Sequence, residues 1–180
     1  MTGATESRGH ELCLRNGLRV SLRPAGVDDE PAILRFLTHL SAESRRRRFF
    51  TAAIDLRTET HRELTVPAVD HHGLLAWAAD RGVVGHAIYV RVPLATRAEI
   101  AVEVADDLHH LGLATQLVIR LAQDAEERHI TRFFADVLPE NGDMLAVFRD
   151  AFATVSVNGL DAIEIEFPTS GWRAAHARFQ

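Results

Sequence analysis

The sequence predicts an α/β fold, a mixed and mostly antiparallel sheet of six to seven strands flanked by helices. Three observations carry this expectation. Segments 18–23, 73–79, 83–91, 98–104 and 132–137 are apolar runs or alternate apolar with polar residues, as strands do. Other segments place apolar residues along one helical face: Ile33, Leu34, Leu37 and Leu40, then Leu117, Leu121 and Ala125. The order of these segments sets one strand–helix–strand unit among strands joined by short turns. The first favours parallel neighbours and the second antiparallel ones.

Each element follows from local chemistry. Residues 1–11 are polar and read as a loose tail, so the expected divisions are a tail over 1–15, one domain over 16–168 and a tail over 169–180. Leu18–Arg23 alternates as a half-buried strand. Asp28 or Asp29 caps the next helix, with Pro31 in its first turn. Ser41 caps a second helix, which runs through Arg48 to Phe50, and a third is expected over His61–Val66. Gly73–Ala79 and Val83–Arg91 form a hairpin about Asp80-Arg81-Gly82, where glycine supplies the permissive backbone. Ala98–Val104 is a strand, Ala114–Arg128 a long helix and Arg132–Val137 another strand. Pro139 interrupts the chain, and Asn141 starts a helix that ends near Asp150. Thr154–Val157 and Ala162–Phe167 read as a hairpin turning at Asn158-Gly159.

Composition narrows the classes of function. The chain of 180 residues carries a net charge of −5, which argues against general affinity for nucleic acid. No apolar run reaches the ~20 residues of a membrane helix. A single cysteine, Cys13, excludes an internal disulfide and a cysteine-based zinc site. Neither His71-His72 nor His109-His110 is read as a metal site, because adjacent strand residues point to opposite faces. The expected setting is the cytoplasm, and the expected state a monomer or homodimer. Arg45–Arg48, the densest charge run, reads as a solvated helix face followed by a Phe49-Phe50 anchor.

The informative stretch is Ala98–Thr115, where a strand runs through a short loop into a long helix. The loop holds Gly112 and the small residue Ala114. Main-chain N–H groups at such a helix start lack partners, and the helix dipole adds partial positive charge, so a diphosphate fits there. A glycine that merely ends a turn would look the same.

His109-His110-Leu111-Gly112-Leu113-Ala114 resembles the cofactor motif of the GNAT family of amine N-acetyltransferases at its two small positions. It departs where His109 replaces glutamine or arginine and where Leu111 replaces a cation. Three further segments extend the resemblance over residues 17–167. Ala98-Glu99-Ile100-Ala101 resembles the strand that carries the catalytic glutamate in protein lysine acetyltransferases. Pro139-Glu140-Asn141 with Met144 is similar to the family's second cofactor segment. Ser41 to Phe50 resembles the entry segment of a bacterial protein-modifying subgroup.

The resemblance implies an acetyltransferase fold and acetyl-CoA as co-substrate. It places the pantetheine arm along the main chain of Val102, Glu103 and Val104, and the diphosphate over His110, Leu111, Gly112, Leu113, Ala114 and Thr115. His109 and Asn141 complete the expected cofactor contacts. Glu99 is the expected general base, with Glu103 its rival. The acceptor is an amine, with protein lysine preferred and a small-molecule amine the alternative. The family often places a tyrosine where Phe148 stands. With His109 and Leu111, that departure leaves open an acyl-CoA-binding regulatory module without turnover.

Overall fold

The computed structural model describes residues 10–51, 70–149, 154–156 and 162–170. A sheet of eight strands organises them: β1 (His10–Cys13), β2 (Arg19–Pro24), β3 (His71–Ala78), β4 (Gly82–Arg91), β5 (Arg97–Val104), β6 (Arg132–Val137), β7 (Thr154–Ser156) and β8 (Ile163–Pro168). Their spatial order is β1-β2-β3-β4-β5-β6-β8-β7. Every neighbouring pair is antiparallel except β5 with β6, which is parallel. The sheet is therefore mixed and mostly antiparallel, as the sequence predicts.

Among the described residues the α-helices are α1 (Glu30–His39), α2 (Ala42–Phe49), α3 (Leu113–Glu126) and α4 (Gly142–Arg149). Pro31 lies in the first turn of α1, where its missing N–H costs nothing. The Ser41 side chain accepts the N–H of Ser44 and so caps α2. Asn141 caps α4 in the same way, through the N–H of Met144.

The helices cover both faces of the sheet. On one face α3 buries Leu113, Leu117 and Leu121 against strand residues such as Leu74, Val102 and Phe133, and Phe148 of α4 joins this core. On the other face α1 buries Ile33, Phe36 and Leu37 against Leu75. Contact between α3 and β4 is close because of Gly85. A Cβ there would lie 3.1 Å from Leu117 and 3.3 Å from Ala76.

Two boundaries differ from the expectation. The segment 1–15 is not a tail throughout, because His10–Cys13 pairs antiparallel with β2 and Leu14 is buried. That strand lies at the sheet edge, so its place is fixed by main-chain pairing, which leaves little trace in side-chain pattern. At the other end the packed chain extends past 168. Thr169 is buried, and its hydroxyl donates to the carbonyl of Ile130 at 2.8 Å. The helix expected over 61–66, the Asn158-Gly159 turn and the segment 172–180 lie outside the described residues.

Filling the space above Gly85 tests the contact between α3 and the sheet. Gly85→Val is expected to cost about 1–3 kcal/mol through overpacking, read as a lower urea midpoint with an unchanged slope. An unaltered midpoint would show that α3 does not depend on this close approach.

Candidate active site

The site is built where β5 and β6 part. The two strands pair only through Arg97 with Arg132, Ala98 with Phe133 and Glu99 with Phe134. Beyond Glu99, β5 stays bonded to β4 as far as Val104, while β6 stays bonded to β8 as far as Val137. The space between them widens into an open cleft of about 610 Å³, bordered by α2, the mouth of α3 and α4.

The register decides which main-chain groups face this cleft. The N–H of Ala105 donates to Val84 on β4 at 2.9 Å. Main-chain direction alternates along a strand, so Glu103 also turns its N–H and C=O to β4, while Val102 and Val104 turn theirs to the cleft. The expectation that Glu103 offers its main chain to a ligand is thereby corrected. Its backbone is committed to the sheet. His109 already meets one exposed group, with Nε2 donating to the carbonyl of Val104 at 3.2 Å.

The mouth of α3 has the form a phosphate requires. Gly112 precedes the helix with φ of 88° and His110 has φ of 61°, two left-handed residues that turn the loop sharply into the helix. The first helical N–H groups, at Leu113, Ala114 and Thr115, have no intrahelical acceptor. All three residues border the cleft. Leu111 instead packs its side chain on the hydrophobic core. Asn141 borders the cleft from the start of α4.

The carboxylates of β5 differ sharply in surroundings. Glu99, Ala101 and Glu103 share one face, since the pairing with β4 runs without a bulge. Glu99 is exposed and opens into the cleft at the point where the strands separate. Glu103 is buried. One of its oxygens accepts from Arg48 Nε at 3.0 Å, and the other accepts from His86 Nδ1 at 2.8 Å. Burial pushes the Glu103 carboxyl up, but the charges of Arg48 and His86 and their hydrogen bonds outweigh it and hold the group below the usual carboxylate range. With both oxygens engaged, Glu103 is a strut between α2 and β4 rather than a free base.

The arginine run is only in part the solvated face expected of it, because Arg48 turns inward. Arg48 holds Glu103, Arg47 pairs with Glu43 at 2.9 Å and lies 3.6 Å from Asp143, and Arg46 pairs with Glu43 and Glu140. Glu140 and Asp143 flank the start of α4, so these pairs tie the two walls of the cleft together. Of the expected aromatic anchor, Phe49 packs on the α1 core, while Phe50 is exposed and borders the cleft. Asp106, in the loop after β5, accepts from the hydroxyls of Ser41 and Ser44 and from the N–H of Ser41, which fixes the start of α2. Phe148 is buried at the cleft floor with its ring stacked on Phe167 at 4.9 Å, and carries no exchangeable proton.

The strand pair that opens beside a helix mouth, with a carboxylate at the fork, matches the family found over most of the chain, a family of acyltransferases. The family model for the acetyltransferase (GNAT) family matches residues 35–152. The chain belongs to that family, whose members use acetyl-CoA as co-substrate. The GNAT domain of S. lividans PAT is 28% identical, with a TM-score of 0.80 over 92% of this chain and 99% of that one. A cAMP-binding acyltransferase from Mycobacterium smegmatis is 24% identical, with a TM-score of 0.65 over 93% of this chain. This chain spans 49% of that protein's length. A spermidine N-acetyltransferase from Vibrio cholerae, in complex with CoA and spermine, shares the fold at 13% identity, with a TM-score of 0.66 over 86% of this chain and 98% of that one.

The sequence expectation named Glu99, the α3 mouth and Asn141, which the fold gathers about one cleft, but not Arg48 or His86. Arg48 was hidden in a charge run, and His86 stands in a strand with no motif about it. The depressed Glu103 carboxyl gives this strut a signature in acid. Its folded value lies below the unfolded value of about 4.3, so ionisation stabilises the fold above that pH, and the contribution fades as pH falls through the folded value. Glu103→Gln is expected to cost about 3 kcal/mol at pH 7 by leaving Arg48 unpaired and to flatten the loss of stability as pH falls below the unfolded value of about 4.3. Denaturant titrations at each pH check this, and a variant with the acid dependence of the parent would refute it.

Proposed function

We propose that the protein transfers the acetyl group of acetyl-CoA to an amine, with protein lysine the preferred acceptor, and that Glu99 is the general base. The observation that carries this reading is the exposed Glu99 carboxylate at the fork of β5 and β6. The residues present suit acetyl-CoA. Val102 and Val104 turn main-chain groups to the cleft, where a pantetheine amide pairs as an added strand would. The unpartnered N–H groups at the α3 mouth suit its diphosphate.

The chemistry follows from the acceptor. A lysine amine with pKa of about 10.4 is almost wholly protonated at neutral pH, so its proton must leave before attack. Glu99 takes it, directly or through a water. The amine nitrogen then bonds to the thioester carbonyl carbon. The carbonyl becomes an oxyanion, for which the N–H of Val102 is the proposed donor. The attached nitrogen gives its second proton to water, and collapse breaks the carbon–sulfur bond and releases the CoA thiolate, which takes a proton from water in turn, since Phe148 has none to give.

The preference for protein lysine rests on the Ala98–Ala101 and Ser41–Phe50 segments and on the likeness to S. lividans PAT. A chain without lysine cannot acetylate its own side chains. The single cysteine suits a reducing, cytoplasmic setting.

Thiol release from acetyl-CoA, measured with a lysine-rich protein and with a panel of free amines, tests both acceptor and base. The protein acceptor is expected to give the higher rate. Glu99→Gln is expected to lower kcat by about 10²–10⁴-fold while leaving acetyl-CoA affinity unchanged. Undiminished turnover in that variant rejects Glu99 as base. Faster turnover of free amines rejects the protein acceptor, and tight binding with no turnover on any acceptor rejects the enzyme in favour of a binding module.

A further inference from the structure

We propose that Arg15, on the turn between β1 and β2, is the cation that binds a phosphate of acetyl-CoA at the mouth of α3. This rests on the reading of the cleft as the acetyl-CoA site and adds to it a residue from outside the strand–loop–helix segment.

The charge balance of the cleft singles Arg15 out. Acetyl-CoA carries a diphosphate and a 3′-phosphate. The first turn of α3 meets them with N–H groups, but its side chains there, Leu113, Ala114 and Thr115, are uncharged. Arginines bordering the cleft are Arg15, Arg47 and Arg48. Arg48 is held by Glu103, and Arg47 by Glu43 with Asp143 beside it. Among the described residues, Arg15 is the cleft arginine without a carboxylate partner. Its Nη1 donates only to the carbonyl of His110, at a long 3.4 Å. A phosphate oxygen is a stronger acceptor than that neutral carbonyl and displaces it.

Position supports the same assignment. The His110 carbonyl lies two residues before Gly112, so the guanidinium stands beside the helix mouth. The turn that carries it is fixed. Leu14 N–H donates to Leu18 at 2.9 Å, Gly17 N–H donates to Leu14 at 2.8 Å, and the Asn16 side chain accepts from Leu18 N–H at 3.1 Å. Leu14 itself is buried in the main core. Arg15 thus swings from a rigid pivot, and its planar fork suits two phosphate oxygens at once.

Calorimetric titration of wild type and Arg15→Gln tests this, with S-acetylpantetheine as the probe that lacks phosphate. Arg15→Gln is expected to weaken acetyl-CoA binding about tenfold, as loss of one charge-assisted hydrogen bond does, and to leave S-acetylpantetheine binding unchanged. Wild-type affinity should fall more steeply with salt than that of the variant, and Arg15→Lys should recover part of the loss. With 3′-dephospho acetyl-CoA, a difference that disappears assigns Arg15 to the 3′-phosphate. One that persists assigns it to the diphosphate, and either supports the proposal. Equal acetyl-CoA affinity in wild type and Arg15→Gln overturns it. So does an equal loss for S-acetylpantetheine, which marks a general disturbance of the cleft. A wild-type protein that does not bind acetyl-CoA at all would instead reject the reading of the cleft, and this proposal with it.

Discussion

β5 and β6 are bonded side by side over three residues each, ending at Glu99 and Phe134. After that, each is held only by its other neighbour, β4 or β8. Main-chain groups of Val102 and the N–H of Val104 are therefore left facing open space inside an otherwise complete sheet, while the Val104 carbonyl meets His109. Such groups are costly to leave without partners in a dry interior, so a gap of this kind is stable only when water or a ligand backbone fills it. The cleft, the placement of Glu99 at its apex and the access to the α3 mouth all follow from that early end of pairing.

Charge then fixes the walls of the cleft. Arg48 joins α2 to Glu103 on β5, and His86 secures the same carboxylate from β4. Arg46 and Arg47 reach the acids about the start of α4, on the far side. The outer pairs are exposed to solvent and add little stability singly. The Glu103 cluster is buried, and its loss would leave a cation stranded. Two carboxylates on one strand face thus have opposite fates. Glu103 is consumed in holding the walls, and Glu99 remains open to the cleft.

Much of the fold was legible because its elements have strong local periods. β6 spans Arg132–Val137 as expected, and α3 carries the anticipated Leu117 and Leu121 stripe against the sheet. The caps at Ser41 and Asn141 were legible because capping is a matter of residues three apart. β1 was not, since an edge strand is defined by the partner it bonds to. The role of the arginine run was equally hidden. Four consecutive arginines show helical charge, but which of them turns inward depends on where β5 lies.

By itself the sequence determined the order and type of the elements from β2 to β6, the glycine turn into α3 and the carboxylate on the strand before it. Those are local properties, set by side-chain period and backbone preference over a few residues. Tertiary structure alone decided where β5 and β6 part, that Glu103 rather than Glu99 is tied down, and that Arg15 stands beside a loop 95 positions away in the chain. Such pairings join residues brought together only by sheet order, and no local pattern encodes which distant charge will face another once the sheet closes.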